Sequence, residues 1–171
     1  MNLEDVVVKA NSPYPQIENA IEDKTTVMIL KNLLSARSGE VNGVMQYLYQ
    51  SEVANKTNSE IADVFEEISI VEMMHLKLLM DAIIKFGGNP KFEDAQGNMF
   101  NAGYVNYSNK LRDMLESNIF AESKAIENYE EAIKRVSNES LKKLLARIIE
   151  DEELHIKVFK KIRDNVEFLS I

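Results

Sequence analysis

From about Thr25 the apolar positions Leu30, Leu33, Leu34, Val41, Val44, Tyr47, Leu48 and Ala54 recur at helical spacing, which predicts a first long helix ending near Asn55. Asn55 to Asn58 read as a turn, and Asn58 is placed to cap a second helix with the stripe Ile61, Val64, Phe65, Ile68, Val71, Leu78, Leu79 and Ile83. Gly87-Gly88-Asn89-Pro90 should stop that helix. A third helix is expected after Ser108, with Leu111, Leu115, Ile119, Ile126, Tyr129, Ile133 and Val136 facing inward. After a turn at Ser137-Asn138, a fourth carries Leu141, Leu144, Leu145, Ile148, Val158, Phe159 and Ile162. Residues 1–24, interrupted by Pro13 and Pro15, read as an arm ahead of a single domain over residues 25–171. Val6, Val7 and Val8 give the arm a short apolar segment that could dock on its own domain or on a neighbouring subunit.

Residues 87 to about 107 show no period and form a connection longer than compact domains usually tolerate. Twenty extended residues reach roughly 65 Å, more than the ~45 Å of a 30-residue helix, so the segment can cross the whole length of a bundle. The expected fold is therefore all-α: four helices in two antiparallel hairpins joined by a long crossover.

Charged positions break this apolar pattern in a regular way. Glu40 and Glu122 fall on the inward faces of the first and third helices, and Glu72, His75, Glu152 and His155 fall on those of the second and fourth. The chain has two histidines, and each follows a Glu by three residues, which puts carboxylate and imidazole on one helix face. A shift of 82 residues takes Glu40 to Glu122, Val44 to Ile126 and Tyr47 to Tyr129. A shift of 80 takes Asn58 to Asn138, Phe65 to Leu145, Glu72 to Glu152 and His75 to His155. The two hairpins thus repeat each other. In each hairpin the two carboxylates lie 15 or 16 residues from the turn, about 23 to 24 Å along the helices, so all four should meet at one level.

Four inward carboxylates and two imidazoles at one level repel each other and are costly to desolvate. Two divalent cations resolve the conflict, offering +4 against -4, and the oxygen and nitrogen donors suit iron or manganese. Tyr47 and Tyr129, seven residues after Glu40 and Glu122, are read either as core packing or as hydrogen-bonding support for the site. Met73 and Met74 are read as packing rather than chemistry.

Composition narrows the partners. The chain of 171 residues has 45% hydrophobic positions, six Gly and three Pro, consistent with one helical domain. Its net charge of -8 disfavours nucleic acid and anionic membrane surfaces. No Cys is present, which excludes disulfides, thiolate metal sites and a cysteine nucleophile. Neither a signal-peptide pattern nor an apolar run of membrane-spanning length is found, so a cytoplasmic location is expected.

A Glu on the first helix, Glu-x-x-His on the second, a Glu on the third and Glu-x-x-His on the fourth resemble the ferritin-like superfamily over about residues 25–168. Within it the chain is most similar to rubrerythrin-type and bacterioferritin-type proteins, and Gly87-Gly88-Asn89-Pro90 also resembles the smaller manganese catalases. The resemblance implies Glu40 and Glu122 as terminal ligands, Glu72 and Glu152 as bridging ligands, and His75 and His155 as terminal imidazoles of a dinuclear centre. Two departures from rubrerythrins stand out: a rubredoxin-like segment with Cys-bound iron is absent, and Ala125 stands where a second Glu is usual. The expected function is a di-iron oxidoreductase acting on O2 or hydrogen peroxide, with a separate electron-donor protein and a homo-oligomeric state of at least a dimer. Iron oxidation and storage of bacterioferritin type, or manganese catalase activity, are the alternatives.

Overall fold

The computed structural model describes residue 3 and residues 6–167; residues 1, 2, 4 and 5 of the expected arm and 168–171 of the expected domain lie outside the described residues. Five α-helices follow in order: α1 Lys24–Ser35, α2 Glu40–Ala54, α3 Ser59–Lys85, α4 Leu111–Arg135 and α5 Glu139–Glu167. A 3-10 turn, Ala102–Tyr104, lies in the crossover. α2 pairs with α3 and α4 with α5, each through a short turn, giving the two hairpins of a four-helix bundle. The repeated asparagines cap equivalent helices: Asn58 Oδ1 accepts from Ile61 N at 3.1 Å and Asn138 Oδ1 from Leu141 N at 2.9 Å.

The expected first helix is two helices, and this corrects the pattern-based reading. α1 ends at Ser35, and the chain tightens through residues 36–39 before α2 begins at Glu40. Gly39 is required at this break by close approach, because a Cβ there would lie 2.6 Å from the Leu33 carbonyl oxygen and 2.9 Å from that of Leu34. Glu40 is consequently the first residue of α2 rather than a mid-helix charge, and the positive end of the helix dipole favours its carboxylate. Three side chains also differ from expectation. Leu48 is exposed, and Met73 and Met74 face outward from α3 rather than packing inside.

The crossover runs the length of the bundle along α1 and α2. Near its start Glu93 pairs with Lys31 of α1, and Ala95 N donates to Asn32 Oδ1 at 2.9 Å. Near its end Asn106 N donates to Gln46 Oε1 of α2 at 2.9 Å. Asn118 of α4 completes a buried amide chain there, accepting from Gln46 Nε2 at 3.0 Å and donating to Gln50 Oε1 at 2.7 Å. Such satisfied buried amides fix where the crossover ends without leaving orphaned polar groups.

The arm docks on its own domain. Leu3 is buried and Val6 and Val8 pack on the core, while Val7 is exposed. Further along, Arg147 of α5 donates to the Ser12 and Ala10 carbonyls, both at 2.7 Å. The core itself is divided. One apolar cluster, including Leu30, Leu34, Ile83, Leu145 and Tyr129, fills the bundle end that holds α1. A second, including Tyr47, Phe65, Ile68, Leu115 and Phe159, fills the other end. The predicted polar level lies between them.

Candidate metal centre

All six acidic and imidazole residues singled out in the sequence converge at this level, and each is at least 97% buried. They form two overlapping quartets, Glu40/Glu72/His75/Glu152 and Glu72/Glu122/Glu152/His155, and within each quartet one donor atom per residue lies within 4.8 Å of the others. Glu72 and Glu152 belong to both. α2 and α4 each supply one carboxylate and α3 and α5 each supply a Glu-x-x-His pair, so every helix of the bundle contributes.

The donor atoms face one another and are only partly satisfied: His155 Nδ1 and Glu152 Oε2 are hydrogen-bonded, while Glu40 Oε2, Glu72 Oε1, Glu152 Oε1 and His75 Nδ1 are not. His75 Nδ1 lies 3.6 Å from Glu40 Oε2 and 3.3 Å from Glu152 Oε1. All three atoms are buried without a hydrogen bond of acceptable geometry. His155 Nδ1 lies 3.0 Å from Glu72 Oε1 and 3.0 Å from Glu152 Oε2. Orphaned carboxylate oxygens around an orphaned ring nitrogen, with oxygen and nitrogen donors only, fit a pair of divalent cations and suit manganese or iron.

Burial, reinforced by the charge of Glu72, pushes the Glu40 carboxyl up to about 8. Burial and the neighbouring Glu152 and Glu72 raise Glu122 well above the usual carboxylate range. Burial also opposes ionisation of Glu72 and Glu152, but the imidazolium contacts outweigh it and both are lowered. Both histidines are raised well above the ordinary imidazole value, their carboxylate neighbours outweighing the desolvation that opposes them. The metal-free cluster therefore holds a shared set of protons in place of cation charge.

The two tyrosines cross between the hairpins. Tyr47 of α2 donates to Glu122 Oε1 of α4 at 2.5 Å, and Tyr129 of α4 donates to Glu40 Oε1 of α2. The rings pack in the core and each hydroxyl is hydrogen-bonded to the carboxylate of the opposite half. Beside the cluster lies a cavity of about 20 Å³, walled in part by Gly39, Gly43, Ala121 and Ala125, with room for a water-sized molecule. A Cβ at Gly43 would come within 3.2 Å of Glu72 Oε2.

The family model for rubrerythrin matches residues 31–163, which takes in the whole donor set. The chain belongs to the rubrerythrin family. Within that ferritin-like setting, this rubrerythrin-family chain is similar in structure to a manganese catalase from Anabaena, with a TM-score of 0.84 and 26% identity, covering 95% of this chain and 81% of that one. A probable manganese catalase from Clostridium acetobutylicum is 21% identical over 89% of this chain and 76% of its own length. The bacterioferritin of Desulfovibrio desulfuricans, solved with its diiron site in different catalytic states, superposes with a TM-score of 0.73 at 23% identity, covering 85% of this chain and 81% of that one. No helix among the described residues of the rubrerythrin-family chain is long and apolar enough to cross a membrane.

The structure adds residues that the sequence pattern missed. Asp151 is fully buried, and its Oδ2 lies 3.0 Å from His75 Nε2. Tyr14 of the arm donates to the same oxygen at 2.6 Å. Tyr14 is separated from Asp151 by 137 positions, beyond the reach of any local pattern. Asp151 did leave a trace, since the 80-residue shift that pairs Glu72 with Glu152 and His75 with His155 pairs it with Val71.

Proposed function

We propose that Glu40, Glu72, His75, Glu122, Glu152 and His155 hold two manganese ions and that the protein disproportionates hydrogen peroxide, two molecules giving two of water and one of dioxygen. The observation that carries this reading is the pair of overlapping donor quartets, with unsatisfied carboxylate oxygens turned toward the unsatisfied His75 Nδ1 and toward one another. The manganese reading draws on the likeness to the Anabaena catalase. An alignment over 95% of this chain leaves out about nine residues, so it includes much of the 24-residue arm that packs beside the site.

When bound, the ions would supply the two-electron exchange between peroxide molecules that no side chain here can perform. The protein's own part follows from its geometry. Glu72 and Glu152, shared by both quartets, would bridge; Glu40 and Glu122 would be terminal carboxylates, with His75 and His155 as terminal imidazoles. Tyr129 occupies Glu40 Oε1 and leaves Oε2, 3.6 Å from His75 Nδ1, for the centre, whereas Tyr47 holds Glu122 Oε1, the oxygen that itself lies 3.6 Å from His155 Nδ1; each hydroxyl limits the swing of its carboxylate. The small side chains of the cavity wall leave room beside the donors for a water-sized molecule, and apolar clusters lie on either side of this level.

The rubrerythrin family match supports a second reading, in which two irons reduce peroxide or O2 with electrons from a separate donor protein. One experiment separates the two. Metal-free protein is loaded with manganese or iron, assayed for bound metal, and given peroxide without a reductant at an oxygen electrode. The manganese form should bind two ions per chain and release one O2 for every two peroxides consumed. A manganese form that binds two ions and releases no O2 would refute catalase activity. Donor-dependent peroxide consumption by the iron form would then favour the second reading.

A further inference from the structure

The repeat makes the two halves of the centre equivalent in ligands, yet the surroundings of the two histidines differ. His75 Nε2 contacts Asp151 Oδ2 at 3.0 Å, whereas His155 Nε2 is buried with no hydrogen-bond partner among the described residues. For a neutral imidazole this decides which nitrogen is free to bind a cation. A proton held on Nε2 by a carboxylate leaves the Nδ1 lone pair pointing into the cluster. His75 is set in that form; on His155 the carboxylate contact is instead at Nδ1, 3.0 Å from Glu152 Oε2, and no partner among the described residues holds a proton on Nε2.

The arm builds the Asp151 contact. Tyr14 donates to Asp151 Oδ2 at 2.6 Å, Ala10 N donates to Oδ1 at 2.7 Å, and Arg147 Nη1 reaches Oδ1 at 2.8 Å. Arg147 is itself aimed by the arm carbonyls of Ser12 and Ala10, and its guanidinium stacks 4.5 Å from the Tyr14 ring centroid. The Tyr14 ring also stands edge-on to the His75 ring, at 6.1 Å and 86°. Two of the three hydrogen bonds to Asp151 come from arm residues, and the ion pair with Arg147 is oriented by the arm.

We infer that Tyr14, acting through Asp151, is a positioning residue that presets His75 and makes the Glu40/Glu72/His75/Glu152 position the tighter of two metal positions. The inference rests on the metal-centre reading above. The arm is then a part of the site that the helical repeat does not encode, and the two positions fill in order.

The test is titration of metal-free full-length protein with Mn2+ alone, followed by calorimetry and by the loss of the free-ion paramagnetic resonance signal. Wild type should bind two ions in unequal steps. Tyr14→Phe keeps the ring over Arg147 and His75 but removes the hydroxyl, and it should weaken the tighter step by about tenfold while leaving the weaker step within about twofold. Asp151→Asn should weaken the same step further. Ser12→Ala removes an arm contact to Glu150 that does not reach His75, and it should leave both steps unchanged. Tyr14→Phe should act on the tighter step alone, so equal weakening of both steps in Tyr14→Phe, or the same effect from Ser12→Ala, overturns the inference. No change in either step of Tyr14→Phe overturns it too, as do two equal steps in wild type. Wild type that binds no Mn2+ overturns the metal-centre reading and this inference with it.

Discussion

Loading the centre should expel protons in a number that the buried charges predict. In the metal-free cluster Glu72 and Glu152 are ionised, Glu40 is half-protonated only near pH 8, Glu122 is raised as well, and both imidazoles carry an extra proton. Two carboxylates against two imidazolium ions leave the buried cluster near neutral. With two divalent ions, four carboxylates and two neutral imidazoles are again neutral, so binding at pH 7 exchanges about four protons for two cations.

The consequence is a steep pH dependence. Four protons per pair of ions raise the overall binding constant by about four orders of magnitude between pH 6 and pH 7, or ~5.4 kcal/mol at 1.36 kcal/mol per proton per unit. Titration calorimetry with Mn2+ at pH 7 in buffers of different ionisation enthalpy measures the count directly, as the slope of observed heat against buffer enthalpy. A slope below about one proton per pair would mean that the carboxylates are already ionised and solvated. That would refute the account of the cluster as a closed, charge-balanced layer.

Other outcomes follow from the same geometry. Glu40 and Glu122 have raised values when folded, so the stability they favour is present below the unfolded carboxylate pKa and is lost as pH rises through about 8 for Glu40; the raised histidines act in the same direction from about 6.5 upward. Thermal unfolding of metal-free protein should therefore show a midpoint that falls between pH 6 and pH 8.5, and a midpoint rising over that range would contradict the burial argument. Gly43→Ala should stabilise α2 by up to ~1 kcal/mol in helix propensity while crowding Glu72 Oε2 at 3.2 Å. Metal-free unfolding should be unchanged or slightly later and Mn2+ affinity lower by about tenfold, and equal affinity would show that Glu72 can move aside without cost.

The donor set was legible because its signal is local and doubled. Glu72 and His75 share a helix face by spacing alone, and Glu152 and His155 repeat that spacing. The break before α2 was hidden because Leu33 and Leu34 on one side and Val41 and Val44 on the other keep a helical period across it, while the steric demand on Gly39 comes from the Leu33 and Leu34 carbonyls. Despite the break, Glu40 keeps its level, since α1 and α2 both lie along α3. Tyr47 and Tyr129 were legible as inward side chains, but their acceptors lie on the opposite hairpin, 75 and 89 positions away.

What the repeat encodes is symmetric, and what it does not encode breaks the symmetry. Duplicated hairpins give each donor quartet one private carboxylate, one imidazole and a share in Glu72 and Glu152, so the quartets alone do not differ in residue types. The difference enters through Asp151, where the repeat fails against Val71, and through an arm that has no counterpart in the second half of the chain. Partners outside a ligand set fix ligand orientation and basicity, so a difference of this kind would make two otherwise equivalent positions unlike. In this fold the least patterned segment of the sequence, residues 6–22, provides it from the surface inward, by way of a single buried carboxylate.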